Sequence, residues 1–403
     1  MANYLIICSD YLSSSDANGN CMRNIVTELV RRNNRVYVIS EADTNGLILK
    51  SENTCVYGVK RPLFARFERK FGEYSGVTSA VRLLRACCVA MLYPNVSPLR
   101  SIRVLKFAEE LISSLDIHSV LCAYRPFESL YAGVRLKKRF PSLQVVGYHL
   151  DLLKAANSKN AFVRDFKTRR GEAFFEKEKE IFSRIILPKS MKDKENYGGA
   201  VRFADFPLFV TDEHNVADIN VYDKSNLNFA YIGSIDGSNR EIGYLLQVLG
   251  GVEKKLKKKV VLHIWGSISS KIQMKIDASE TASFHGVVDS SQATELLRSA
   301  DFVVNLSNKN TPEMVPSKIF QLFSSGTPIL NVVEKPEDAA LVYFKINDYS
   351  CNILAYRKDL ANDISKVLVF IETYYEKKQE MAVLEQMYKE SSPEYVVDLI
   401  ENN

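Results

Sequence analysis

Of 403 residues only seven are cysteine (8, 21, 55, 87, 88, 122 and 351), and none forms a C-x-x-C pair. With no secretory leader ahead of the first apolar stretch, these thiols are expected to be buried and reduced, in the cytoplasm. The opening run Tyr4 to Cys8 is too short for a signal peptide and runs into polar sequence. No run approaches the ~18 apolar residues of a membrane helix, so the chain is not expected to span a bilayer. Asp-x-Asp, H-E-x-x-H and any Cys/His cluster at ligand spacing are missing, and no metal site is expected. Without G-x-S-x-G at a strand-helix elbow, a Ser-His-Asp hydrolase is not expected. Nor is there an RNA-binding signature, zinc-finger spacing or basic recognition helix, so no nucleic-acid partner is expected.

What is present suits a globular protein with a large core. Hydrophobic residues make up 46% and charged residues 25% of the chain. The length exceeds the roughly 250 to 300 residues at which a single core splits, so two domains are expected. Net charge is only +5 but unevenly spread. Between Lys60 and Lys106 ten Lys/Arg stand against two acids, Glu68 and Glu73, interleaved with Leu63, Phe64, Phe67, Phe71, Met91, Leu92 and Tyr93. That pattern suits a helix lying on an anionic lipid surface, or a solvated amphipathic face.

Strands and helices alternate along both halves. Asn3 to Cys8 reads as a buried strand and Ser9 to Asn20 as a polar loop. Cys21 to Asn33 reads as a helix, with Met22, Ile25, Val26, Leu29 and Val30 at helical spacing, and Val36 to Ile39 as the next strand. Strands at 118–123, 143–148 and 185–187 follow, with helices at 127–139 and 161–182 between them. A second series runs from Phe229 to Val333, with helices at 240–257, 290–299 and 315–324, and a last helical stretch is read from 359 to about 390. The expected division is an N-terminal, acceptor-binding domain at 1–210, a linker at 211–226, a C-terminal domain at 227–375 and a C-terminal helix at 376–403 that packs back on the first domain. Two α/β, Rossmann-like parallel-sheet domains facing across a cleft are the expected fold, with the cleft as the default ligand site.

Two segments carry the strongest chemical signal. From Thr311 to Leu330 a polar turn with Glu313, Pro316, Ser317 and Lys318 leads into the apolar run Ile319, Phe320, Leu322 and Phe323, which Gly326 and Pro328 stop before a new strand. In an open α/β sheet such a loop lies beyond the strand ends, where ligands bind, so it is a candidate anion site. From Phe229 to Gly243 a strand ends in a Gly/Ser loop with Arg240 at the start of a helix. Glycine lets a ligand approach the backbone, and arginine can pair with phosphate oxygens. Trp265-Gly266, the stretch from Phe284 through His285 to Val288, and Ser307-Asn308 also fall at predicted strand ends, so several loops converge on one sheet edge.

From about 228 to 332 the chain resembles the nucleotide-sugar-binding domain of GT-B fold glycosyltransferases, in particular the retaining family-4 group. Gly233 matches that family's glycine, Ser234 stands where its arginine is expected, and Arg240, six residues on, stands where its lysine is expected. Half of the cationic clamp is thus missing. Gly266 matches a second glycine-bearing strand end, and Phe284, Gly286 and Val288 match F-x-G-x-V. The family's paired glutamates are matched by Glu313 and by Gln321, which lacks the charge of the second. Pro316, Ser317 and Lys318 resemble a bacterial surface-polysaccharide subgroup. In the first half Gly19 is the likeness to a glycine loop beside the donor phosphates, and His149 to a histidine near the donor sugar.

The resemblance implies transfer of a sugar from a UDP- or GDP-linked donor to a glycan or polyprenyl-diphosphate-linked acceptor, with retention and without a metal or other cofactor. Arg240, Lys318, Ser317 and the amides near Gly19 and Gly233 would hold the diphosphate. Gln321 would hold the ribose, Glu313 the sugar hydroxyls, and His149 the donor sugar or acceptor; Gly266 and His285 complete the donor set. The basic region would rest on the inner membrane face. A sugar-nucleotide epimerase of the same fold and a binding protein with a decayed site are the rival readings, the latter favoured by Ser234 and Gln321.

Overall fold

A computed structural model describes residues 1–13, 16–60, 91–95, 97–124, 126–150, 161–192, 198–210 and 221–402, apart from the side chains of 290 and 291. Most of the basic stretch, at 61–90, and most of the expected linker, at 211–220, lie outside the described residues. The chain forms two compact α/β units, one from Met1–Pro207 with Pro393–Asn403 and one from Leu208–Ser392.

In the first unit, β1 (Asn3–Ile7), α1 (Ala17–Arg31), β2 (Arg35–Ala42), β3 (Gly46–Lys50) and β4 (Thr54–Lys60) precede α2 (Pro98–Ser114) and β5 (Ser119–Tyr124). Then come α3 (Glu128–Arg139), β6 (Gln144–His149), α4 (Ala161–Ile181), β7 (Arg184–Pro188) and β8 (Val201–Ala204). The eight strands lie in the order β3-β4-β2-β1-β5-β6-β7-β8. All described pairings are parallel except the edge pair β3 and β4. β5 is buried throughout, as a central strand covered on both faces must be, which is why it reads as an unbroken apolar run.

α1 begins at Ala17, four residues before its apolar pattern, because the Asp16 carboxylate accepts from the N–H groups of Asn18 and Gly19 at 2.8 and 3.4 Å. Farther along α1, buried Glu28 accepts from both Arg31 and Arg32, and Arg32 in turn reaches Asp398 and Glu401 at 2.7 and 2.8 Å. Arg184 donates to the carbonyls of Leu399 and Ile400. These bonds hold the helix Pro393–Glu401 against α1 and place a cation at its carbonyl end.

In the second unit, β9 (Leu227–Ile232), α5 (Gly243–Leu256), β10 (Val260–Trp265), α6 (Ser270–Asp277), β11 (Ala282–Phe284), α7 (Ser290–Ser299) and β12 (Phe302–Leu306) are followed by α8 (Lys318–Phe323) and β13 (Ile329–Val332). After them come α9 (Leu341–Lys345), β14 (Ser350–Ile353), α10 (Leu360–Tyr374) and α11 (Met381–Met387). The sheet order is β11-β10-β9-β12-β13-β14, all parallel. The direction of winding reverses between β9 and β12, so the crevice at their carboxyl ends is where this topology receives a ligand. Leu262, Ile264, Phe302, Val304 and Leu330 form the core with Leu245, Leu249, Val367 and Phe370 from α5 and α10.

The expected helix over 359–390 is instead two helices, because the chain leaves helical geometry at Tyr375 and Glu376, the latter with φ 60. The segment that follows packs on the second unit. Gln379 N–H donates to the carbonyl of Gly326 at 2.8 Å, and Tyr388 stacks on Phe323 at 4.1 Å. Among the described residues no helix is long and apolar enough to cross a membrane.

Candidate functional site

Three glycines close the floor of the second unit's strand edge. Gly233 donates its N–H to Trp265, and Gly266 donates to Gly286, at 2.8 and 2.7 Å. Gly266 has φ +128, and a Cβ there would stand 2.1 Å from the carbonyl oxygen of Gly233. No other residue type fits that contact. Gly233 serves a different need: a Cβ on it would stand 2.8 Å from the Tyr231 hydroxyl and 3.4 Å from Lys318 Nζ. Its missing side chain is the space those two groups occupy.

The loop after β9 is built by Asp236, whose carboxylate accepts from the N–H groups of Ser238, Asn239 and Arg240 at 2.8, 2.7 and 3.2 Å. Burial is the largest single influence and opposes ionisation, but these bonds together outweigh it and hold the carboxyl below the usual carboxylate range. The turn presents Arg240, whose Nε donates to Asn308 Oδ1 at 3.2 Å and whose Nη1 approaches the carbonyl of Ser234 at 3.4 Å. Asn239 also donates to Asn308, and Lys309 N–H donates to Asn239. The loops after β9 and β12, the two strands flanking the reversal, are thereby fastened together.

Arg240, Pro316, Lys318 and Gln321 line one small recess with Tyr231, Asn305 and the apolar Val304, Leu306 and Leu322. The Lys318 pKa lies below the ordinary lysine value, through desolvation of its ammonium and then repulsion from Arg240. The residue as a whole is exposed, which weakens the desolvation, whereas the repulsion follows from geometry and persists at an open position. An anion between the two cations would relieve it. Among the described residues no carboxylate lines this recess.

Other expected donor residues are placed differently. Glu313 is exposed on the turn before α8 and, like Ser317, does not line the recess. α8 spans six residues rather than the expected ten, because 311–317 hold one turn, Thr311–Met314, and then irregular chain, so side-chain cations rather than a helix dipole supply the positive charge here. His285 lies outside the recess lining, with Nε2 2.9 Å from His263 Nδ1 and its ring stacked on Trp265 at 4.7 Å. Burial holds His285 below the usual histidine range, and burial followed by repulsion from His285 lowers His263 to about 4. Ser234 is exposed, with its hydroxyl at the limit of reach of Arg240 at 3.5 Å.

Sequence reasoning missed Asn305. It stands in register with Asn331 and Asn352 on three adjacent strands, and the amides form a chain: Asn305 donates to Asn331 at 2.8 Å and Asn331 to Asn352 at 2.7 Å. The chain fixes which end of the Asn305 amide is engaged, leaving its carbonyl oxygen as the remaining acceptor beside the recess. The available signal was a single Asn inside each of three apolar strands.

Two expected residues belong to the first unit. His149 is 1% exposed, with Nε2 2.8 Å from Glu178 Oε1 and its ring edge-on to Phe175. It is enclosed rather than presented to a ligand. Gly19 is also buried: a Cβ there would stand 2.2 Å from the Asp10 carbonyl oxygen, and its N–H is directed at Asp16. Close helix-loop packing accounts for this glycine. Nearby, Arg100 donates to Ser9 Oγ at 2.6 Å and pairs with Glu41 at 2.7 Å. Asp10 is raised to about 6 by burial and then by Asp16 and Glu41. Among the described residues no group of three or more His, Cys, Asp or Glu could hold a metal ion.

No family model matches the chain, and no curated protein sequence does. Solved structures do match. A Burkholderia xenovorans alpha,alpha-trehalose-phosphate synthase (UDP-forming) in complex with glucose-6-phosphate aligns at TM-score 0.59 and 9% identity, over 99% of this chain and 98% of that one. WaaG, a glycosyltransferase involved in lipopolysaccharide biosynthesis, aligns at TM-score 0.56 and 13% identity, over 99% and 100%. A putative UDP-N-acetylglucosamine 2-epimerase from Listeria monocytogenes aligns at 0.53 and 10%, over 100% and 97%. At these identities the likeness is one of fold, and the chain has the GT-B fold of two Rossmann-like α/β units.

Proposed function

We propose that this protein is a glycosyltransferase that moves a sugar, of hexosyl type, from a nucleotide-sugar donor to a glycan or lipid-linked acceptor. The observation that carries the reading is the convergence of Arg240 and Lys318 on one recess at the β9/β12 reversal, without a carboxylate among its described lining. Breaking a nucleotide-sugar bond develops negative charge on the diphosphate and positive charge at the anomeric carbon. Two cations, Arg240 held by Asn308 and Lys318 beside it, stabilise the first change without a metal ion. Backbone N–H groups beyond Gly233 and the Ser317 hydroxyl supplement them.

Gln321 on the same wall takes the ribose through its amide, a neutral contact weaker than that of a carboxylate. Glu313 on the adjacent turn reaches the sugar hydroxyls. The reaction retains anomeric configuration by front-face attack, with the leaving phosphate accepting the acceptor's proton. A UDP- or GDP-linked donor and a polyprenyl-diphosphate-linked acceptor at the inner membrane face place the enzyme in bacterial surface-polysaccharide synthesis, such as capsule. The fold likeness to a UDP-forming synthase and to WaaG supports this choice among nucleotide-binding folds.

The likeness to a putative epimerase favours one second reading, in which the same recess binds a sugar nucleotide that is isomerised rather than transferred. Calorimetric titration with UDP and GDP, then product analysis by mass spectrometry with and without lipid-linked acceptor, separates the cases. Binding followed by acceptor-dependent release of nucleoside diphosphate is expected. Epimerised donor without acceptor would replace the transferase reading, and absence of any nucleotide binding would overturn both.

A further inference from the structure

Helix α2 has two opposed stripes. Val104, Ala108, Leu111 and Ile112 are buried, whereas Leu99, Ile102, Arg103 and Lys106, spaced as one helix face, are exposed. Leu99 is 73% exposed. The first half of α4 repeats the arrangement, with Phe162 81% and Phe166 40% exposed one turn apart and exposed Arg169 on the next turn. Segment 91–95 joins the two. Its Met91 is 65% exposed and its carbonyl accepts from Arg170 at 2.6 Å; Lys167 lies 5.8 Å over the Tyr93 ring, and Ser101 of α2 donates to Asn95 at 2.7 Å.

Stretches 98–110 and 161–172 hold seven Lys/Arg and four acids, Glu109, Glu110, Asp165 and Glu172, a net positive balance. Arg100 is buried, leaving Arg103, Lys106, Lys167, Arg169 and Arg170 beside the apolar side chains. Large exposed apolar side chains on two helices linked through one segment are unusual on a free surface and mark an interaction site. Cations interleaved with Phe, Leu and Met match the boundary of an anionic bilayer, where acyl chains take the apolar groups and headgroup phosphates the charges. A second copy of the chain would oppose cation to cation, and a nucleic-acid backbone would leave the phenyl rings in water.

We infer that this face of the first unit docks on an anionic lipid surface. The assignment stands on observations separate from the donor recess. Its test uses the full chain with vesicles of phosphatidylcholine alone and of phosphatidylcholine with phosphatidylglycerol. Trp265, the single tryptophan, is 5% exposed, so Phe162→Trp adds a reporter against a constant background. Its emission is expected to shift to the blue with anionic vesicles and to stay put with neutral ones.

In co-sedimentation, Arg103→Ala combined with Arg169→Ala is expected to lower partitioning on the order of tenfold or more, and Phe162→Ser with Phe166→Ser to lower it similarly. Thermal melts and UDP or GDP titrations unchanged from the parent confirm intact folding and keep this test distinct from that of the donor recess. An unmoved Phe162→Trp emission, or variants that pellet like the parent, would overturn the inference. So would a lipid-free dimer abolished by Phe162→Ser, which would assign the face to a second copy.

Discussion

Arg240 donates from Nε to Oδ1 of Asn308 at 3.2 Å, so the guanidinium at the recess is held by a residue on the far side of the topological reversal. Its remaining N–H groups face Ser234 and the recess. A cation held this way needs little reorganisation when charge develops on a leaving diphosphate, the condition under which one contact is worth most. Arg240→Ala is therefore expected to lower kcat about 100-fold or more. Asn308→Ala keeps the cation but frees it, and a loss of about tenfold or less is expected. Steady-state kinetics on both variants check the order; a larger loss from Asn308→Ala would mean that the tie, not the charge, matters.

Gly266 is the least replaceable of the glycines at the second unit's strand edge. Its φ of +128 excludes an L side chain, and the 2.1 Å approach to Gly233 leaves no room for a methyl group. Gly266→Ala is expected to destabilise the protein by at least about 3 kcal/mol, whereas Gly243→Ala, at 3.3 Å from a flexible Glu241 oxygen, stays near neutral. Urea melts of the two variants make the comparison.

Such positions also mark how far the sequence could be read. Glycines 266 and 286 have a positive φ that demands the residue type, and the central strands stood out because a strand covered on both faces must be apolar along its whole length. The turn and short helix carrying Lys318 and Gln321 were legible from a polar stretch leading into an apolar run that Gly326 and Pro328 stop. Edge strand β3, its neighbour β4 and helix α6 were not; in β3, Leu47, Ile48 and Leu49 are exposed and break the rule that apolar runs are buried. For Gly19 a tight helix-loop contact and a phosphate loop call for the same residue. The pairing of His149 with Glu178 joins residues 29 apart in the chain, which no local pattern shows. The amide chain from Asn305 needs three strands in register, which only the folded sheet supplies.

His263 gives the second unit a stability that depends on pH. Its folded pKa of about 4 lies below the 6.5 of the free side chain. Between those values the unfolded chain binds the proton and the folded one does not, so stability rises with pH across this window and falls as pH drops through it. His285, lowered in the same direction by burial, adds to the slope. The shift from 6.5 to about 4 corresponds to roughly 3 kcal/mol at full effect. His263→Gln is expected to flatten the profile between pH 6.5 and 4 while leaving stability at pH 7.5 lower by about 1 kcal/mol, from lost bonds to Asn228 and His285. Denaturant melts across the range decide it, and an unchanged slope would remove His263 as its source.

Gln321 lines the recess one turn after Lys318 on the same short helix. As an amide it offers a ribose one carbonyl oxygen, and a carboxylate in its place would accept from both hydroxyls through charge-assisted bonds about twice as strong. Gln321→Glu is therefore expected to tighten nucleoside diphosphate binding about fivefold, near 1 kcal/mol. The added charge also lies within reach of Lys318 at the i,i+3 spacing and would partly neutralise the cation that the phosphates need. The two effects separate by ligand. Calorimetry should find UDP or GDP bound more tightly and inorganic pyrophosphate, which has no ribose, more weakly. If both ligands weaken together, Gln321 serves the phosphate end of the recess, and the ribose lies elsewhere.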